Sequence, residues 1–274
     1  IMGVIIACYH NPLANQTDEL IKKIIACTLI AAAVVAVLKF YDKIILLPFE
    51  LYQNRRLIWR LAKNDFKRRY AGSYMGAIWA MVQPVVTVAM YYVVFQVIMP
   101  QKAQLLGDGI EVPYLVFLTA GLVPWFYFSE ALTNGMMALL EYEYLVKKVV
   151  FKISILPIIK IIAATFIHGF FVLVLLAIAF LYGFTPSLYT LQIFYYSFCM
   201  FALVLAISYT TCSVVIYFRD LQQIVGIGLQ IGMWATPVLW QLGTLSKKAQ
   251  MLVKINPLVY IVEGYRSSIY EKQW

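Results

Sequence analysis

The sequence predicts an all-α integral membrane protein, on three observations. Tyr70 to Gln101 contains no charged residue, and a helix needs ~20 apolar residues to cross the ~30 Å hydrocarbon core of a bilayer. Hydrophobic residues make up 63% of the chain and charged residues 13%, with a mean hydropathy of +0.80, against the ~25% charged residues of soluble domains. Arg55, Arg56, Arg60, Lys63, Lys67, Arg68 and Arg69 abut the start of the uncharged run, which sets that end on the cytoplasmic side. A soluble two-domain protein is excluded. The net charge of +9 sits beside apolar runs, where topology explains it, so nucleic-acid binding is not expected.

Residues 24–38 are an apolar run bracketed by Lys22, Lys23 and Lys39. At ~1.5 Å per residue it falls short of the core unless the lysines snorkel, so it either spans or docks. Residues 1–45 are thus an N-terminal extension with a possible extra membrane helix, and residues 46–274 form one membrane domain. No basic segment precedes an apolar core at the start, so a cleavable signal peptide is not expected. Leu47, Leu51, Ile58, Leu61 and Ala62 recur at helical spacing among the cations, with Pro48 near the helix start. This is an amphipathic helix for the cytoplasmic interface.

The first span covers about 72–98, and residues 100–113, with Lys102, Asp108 and Glu111, form an outer loop. A second span runs from Val112 through Leu140, with Gly121 and Pro124 marking a break or kink. It ends at 141–152, where Lys147, Lys148 and Lys152 place the loop inside. Spans at 158–182 and 188–217 follow, joined by an outer turn at 182–187. Arg219 and Asp220 mark an inner turn before a fifth span at 221–241. From Gly243 to Trp274 no run is long enough to cross, and two short amphipathic helices are expected on the outer side, interfacial or re-entrant. The count is five or six transmembrane helices, depending on residues 24–38.

Motifs for chemistry are missing from the sequence. There is no GxxxxGK[ST] phosphate loop, so ATP chemistry requires another subunit. The histidines are His10 and His168, and neither HExxH nor GxSxG occurs. Cys8, Cys27, Cys199 and Cys212 show no CxxC spacing. No catalytic residue, metal or cofactor is therefore expected in this chain. Glu141 and Glu143 point about 200° apart on a helix and read as a solvated pair. Glu130, Lys160 and His168 are the polar groups nearest the spans, where ionisable residues are functional candidates by default. A snorkelled or capping role suits Glu130 and Lys160 equally well, and packing is the plainer role for His168. Aromatic residues are 16% of the chain, and interfacial belts explain about half of them. The surplus suits a wall that stacks on sugar rings. A membrane-embedded glycosyl- or acyltransferase would need clustered acid, base or metal groups, and a secondary transporter or drug exporter would place charges or broken helices at the midplane. The sequence has no such cluster, and its spans are nearly charge-free and show no internal repeat.

Residues 50–99, 121–132, 143–157, 217–240 and 255–270 resemble, in that order, the permease subunit of bacterial polysaccharide ABC exporters, the type-2 permeases that move O-antigen, teichoic acid and related glycans. Arg69, Tyr70, Gly76, Trp79, Gln83 and Pro84, then Phe218-Arg219-Asp220, then Asn256-Pro257 with Tyr265-Arg266 carry the likeness. The resemblance implies a homodimeric channel in the cytoplasmic (inner) membrane for undecaprenyl-diphosphate-linked polymers. It also implies one separate ATPase subunit per permease, which binds ATP and Mg. An interfacial helix, a coupling loop between spans two and three, two gate helices and a final span beyond Trp274 are expected with it. In that frame Arg55, Arg56, Arg60, Lys63, Lys67, Arg68 and Arg69 are candidates for the lipid head group, with plain anchoring to anionic lipid as the alternative. Tyr142, Tyr144, Leu145, Val146 and Phe151 are candidates for ATPase coupling. Tyr74, Trp79, Tyr91, Tyr92, Phe95, Trp234 and Trp240 are candidates for the channel wall, with lipid-facing or core packing as the alternative, and Gly72, Gly76, Gly226, Gly228 and Gly232 are expected to let the helices approach closely.

Overall fold

Long apolar runs leave the backbone no partner but itself, and the chain answers with helix. The computed structural model describes residues 28, 41–69, 72, 74–98, 104–105, 111–143 and 153–271, in two units, Ile1–Arg55 and Arg56–Trp274. The expected membrane segment at 24–38 lies outside the described residues save Thr28. In the first unit, α1 is Tyr41–Gln53 and carries Pro48 within it. This corrects the placement of Pro48 at a helix start: strong helix formers flank it, and the helix tolerates the missing amide. At the end of α1, Asn54 donates from its side chain to the Glu50 carbonyl at 2.8 Å, a turn-favouring residue closing the helix. The amphipathic stretch is therefore two helices rather than one.

Next, α2 (Arg55–Arg69), in the second unit from Arg56 on, buries Ile58, Ala62 and Asp65. Steps of four and three put them on one face. Gly72 and Gly76 have φ of +83° and +54°, a left-handed backbone that interrupts helix, so α3 begins only at Trp79. It runs Trp79–Tyr92 and continues as a π-turn over Val93–Ile98. Gln104–Leu105 and Glu111–Val112 pair antiparallel and lead into α4, Tyr114–Glu141. Next come α5 (Leu156–Leu181), α6 (Gln192–Val215) and α7 (Leu221–Ala235). The short helices α8 (Lys247–Val253) and α9 (Pro257–Arg266) follow, the latter extended by a π-turn over Ser267–Glu271.

Two expectations change here. α4 passes through Pro124 without a break, as proline permits in a membrane helix packed among neighbours. α7 stops at Ala235 instead of 241, because Thr236 precedes Pro237 and adopts the extended backbone (φ −91°, ψ 140°) that a following proline favours.

Helices α4, α5 with its leading turn, and α6 with its leading turn are long and apolar enough to cross a membrane. The most apolar window of α4 is 78% buried, against 44% and 28% for the other two, so α4 is the central helix. It packs chiefly on α5 and α6, and α9 wedges against both α4 and α6. The second of the two short amphipathic helices is thus embedded, with Leu258, Val259, Ile261, Val262, Tyr265 and Arg266 all buried.

Two glycines make that wedge possible. A β-carbon on Gly264 would enter the ring of Tyr196 on α6, and one on Gly121 of α4 would meet the Val238 carbonyl at 2.8 Å. Between these contacts the Arg266 guanidinium, 1% exposed, donates to the Val238 carbonyl at 2.9 Å and to Glu263 at 2.7 Å. It lies 3.7 Å from the centre of the Phe117 ring, so the charge is held by hydrogen bonds and an aromatic face. Gly264→Ala is expected to cost roughly 1–3 kcal/mol through overpacking. Thermal unfolding in detergent checks it: adding Tyr196→Leu must recover part of the loss, a coupling that non-touching sites would not show.

Candidate functional site

Charge gathers where α2 meets the last turn of α4 and the first turns of α5. Asp65 accepts from the Tyr142 hydroxyl at 2.5 Å and from the Lys160 ammonium at 2.7 Å. Lys160 also donates to Glu141 at 2.5 Å and lies 4.8 Å from the centre of the Tyr142 ring. The side chains of Lys160 and Asp65 are only 7% and 10% exposed, while Glu141 is 49% exposed. One turn further along α2, Arg69 pairs with Glu130 of α4 at 2.8 Å. Asp65 and Arg69, four residues apart on α2, thus clamp α4 at two levels.

These contacts correct two expectations. Lys160 does not snorkel to the interface but turns inward to a buried carboxylate. Glu141 is not merely solvated, because Lys160 holds it. Asp65 escaped the sequence reading altogether: one acid among seven cations looks like a solvated charge. Its signal was position, since it continues the Ile58 and Ala62 face at a step of three.

The cluster borders a cavity of about 340 Å³ that Arg68, Arg69 and Asn134 also line. Arg69 and Asn134 further border a groove of about 800 Å³ between α3 and α4. Of the head-group candidates, then, the structure brings Arg68 and Arg69 to a concave surface. Arg56, Arg60, Lys63 and Lys67 are exposed along α2, and Arg55, in the first unit, lies over the Tyr52 ring at 4.3 Å. Of the coupling candidates, Tyr142 is buried and turned toward Asp65, so its side chain fixes where the following loop begins and is not offered to a partner. Tyr144, Leu145, Val146 and Phe151 lie outside the described residues.

The aromatic candidates fall into two sets. On α3, Tyr91 stacks on Phe95 with centroids 6.0 Å apart, and Phe95 meets Tyr114 of α4 edge-on at 5.2 Å. Tyr92 borders an apolar recess with Phe171, Trp79 borders the groove and Tyr74 is fully exposed. At the end of α7, Trp234 is exposed and its carbonyl accepts from the Trp240 indole at 3.0 Å. Within the single chain Gly72 and Gly76 have positive φ, a β-carbon on Gly226 or Gly228 would meet no neighbour, and one on Gly232 would meet Trp125. His168 has the geometry of a packing histidine. Buried between helices, it stacks on Tyr127 and shares Nε2 with Ser197 at 3.1 Å and Tyr265 at 2.9 Å, tying α5 to α6 and α9.

Lys160→Met leaves the Asp65 carboxylate buried without its cation, at an expected cost of about 3 kcal/mol or more. Asp65→Asn in the same chain should recover part of it, whereas Glu141→Gln should cost under ~1 kcal/mol because that partner is half in solvent. Unfolding midpoints of the four proteins decide the order; equal losses for Lys160→Met and Glu141→Gln would contradict it.

The ABC-2 type transporter family matches residues 56–270. The chain is similar to the O-antigen export system permease protein RfbA of Myxococcus xanthus, 29% identical over 224 residues that cover 81% of this chain and 83% of the relative. It is also similar to an O-antigen export system permease protein RfbA of Klebsiella pneumoniae, 26% identical over 211 residues that cover 75% and 77%. The match takes in the clamped α2, the central α4 and the embedded α9 together, and the chain belongs to the ABC-2 type transporter family.

Proposed function

We propose that this chain is the membrane permease of an ATP-driven exporter that carries a lipid-linked polysaccharide, of the O-antigen or teichoic acid kind, across the bacterial cytoplasmic membrane. The observation that carries the reading is the paired Arg68 and Arg69 at the cavity where α2 is clamped to α4. Likeness to O-antigen export permeases over most of both chains supports the polysaccharide. A glycan carried on a lipid diphosphate needs a cationic site at the membrane surface, and adjacent guanidinium forks suit phosphate. The same clamp supports energy coupling. It fixes the start of the 141–152 loop against α2, so a push on that loop by a separate ATPase subunit moves α4 and α5 together. In this reading ATP and Mg stay on that partner. Two copies of the permease enclose the conduit. Ile224, Ile227 and Ile231, exposed along one side of α7, supply an apolar stripe for the second copy, and the aromatic set on α3 and at the end of α7 faces the sliding glycan. The basic end lies in the cytoplasm by the positive-inside bias, with several helices crossing.

Two measurements test this. Solubilised in mild detergent, the chain is expected to co-purify with the nucleotide-binding subunit encoded beside it and to raise its ATP turnover; neither binding nor stimulation would sink the exporter reading. Arg68→Glu with Arg69→Glu is expected to abolish glycan export while the chain still inserts, whereas anchoring at ~1 kcal/mol per cation would leave export in the inserted variant unchanged.

A further inference from the structure

Along α4, Phe126, Ser129, Glu130, Thr133 and Asn134 follow at steps of three and four, so they form a single stripe on one side of the helix. Polar groups inside a membrane helix are costly and need partners. Two members of this stripe touch other helices, Glu130 through Arg69 of α2 at 2.8 Å and Phe126 edge-on against Phe171 of α5, while Ser129 and Thr133 bond only to carbonyls of α4 itself. The stripe borders the groove of about 800 Å³ whose opposite wall α3 supplies, with Trp79 half-exposed within it. That volume lies within the ~300–1,000 Å³ of small-ligand sites.

The hydrogen bonds of the stripe define what it can take. Ser129 donates its hydroxyl proton to the Phe126 carbonyl at 3.1 Å, and Thr133 donates to the Ser129 carbonyl at 2.8 Å. Each hydroxyl has spent its proton on the helix and presents only lone pairs to the groove. With the Glu130 carboxylate beside them, the wall is rich in acceptors. The complement is a ligand rich in O–H donors that also has an apolar face for an indole. A sugar ring has both: equatorial hydroxyls around its rim and C–H bonds on its faces. Arg69 borders this groove and the Arg68 cavity alike, which sets a phosphate site and a sugar site side by side.

We propose that the groove between α3 and α4 binds the sugar next to the phosphate in a lipid-phosphate-linked glycan, Trp79 stacking on the ring and Glu130, Ser129 and Thr133 accepting its hydroxyls. This rests on the export reading above and adds a recognition site to it. Arg69, paired with Glu130 at 2.8 Å, exchanges that carboxylate for the incoming phosphate, and Glu130 then accepts sugar hydroxyls. The ion pair keeps both charges matched until the ligand arrives.

The test is equilibrium binding of the full chain, in lipid nanodiscs, to two synthetic probes: citronellyl diphosphate and the same lipid diphosphate bearing N-acetylglucosamine. Wild type is expected to bind the sugar-bearing probe about tenfold more tightly than the bare one, the scale of one good stacking contact with hydrogen bonds. Trp79→Leu and Thr133→Val should each bring the ratio of the two affinities toward one, and Trp79→Phe should retain most of it. Because the readout is a ratio, a misfolded variant is recognised by the loss of both probes; Thr133→Ser, which keeps the hydroxyl, and Trp79→Phe then carry the comparison. A wild-type ratio of one, or a ratio untouched by Trp79→Leu and Thr133→Val, overturns the sugar site and leaves the diphosphate reading standing. Failure of wild type to bind either probe overturns both.

Discussion

The ammonium of Lys160 is the point that α2, α4 and α5 share. In a region of few waters a buried cation must find carboxylates or lose its charge, and Lys160 finds Asp65 on one helix and Glu141 on another. Trp59 and Phe66 of α2 also pack on Phe166 of α5, so charge and aromatic contact together hold α2 in place. The Arg69–Glu130 pair repeats the tie one turn along. Everything proposed for the basic end, from phosphate capture to the anchoring of the 141–152 loop, requires α2 to stay against α4.

A second buried charge does the same work elsewhere in the bundle. Arg266 seats α9 by reaching the Val238 carbonyl and lying on Phe117, while Gly121 and Gly264 let the backbones close. The Val238 carbonyl is available because the Thr236-Pro237 pair ends α7 early. A short helix too small to cross the bilayer is thereby made part of the core, and His168 joins it to α5 and α6 through Ser197 and Tyr265. Among the described residues Lys160, Arg266 and His168 are buried polar groups that hold one helix to another.

Part of the stripe on α4 differs from these clusters in that it borders open space. Ser129 and Thr133 line a groove and bond only to carbonyls of their own helix, so their polarity joins no second helix. Together with the neighbouring Arg68 cavity this divides the basic end into a part suited to phosphate and a part suited to hydroxyls. In the proposed dimer, the exposed apolar stripe of α7 from Ile224 to Ile231 offers area rather than hydrogen bonds to the second copy.

Hydropathy alone determined that the chain is an all-α membrane protein, because hydrocarbon forces the backbone to bond to itself. Long runs at 114–141, 153–181 and 188–215 were legible for that reason, as were the two short helices after α7 and the grouping of cations at one end. Helix limits set by local stereochemistry were half legible: Thr236-Pro237 was in plain view, but neighbours decided that Pro124 and Pro48 would be absorbed into helix. The pairing of Asp65 with Lys160, ninety-five positions away, was not legible at all. Hydropathy and periodicity see a charge only against its sequence neighbours, and there Asp65 looked solvated and Lys160 looked like an anchor. Only the packing of α2 on α4 and α5 decided which charges are buried together, since the cost of burying a charge depends on what surrounds it in space.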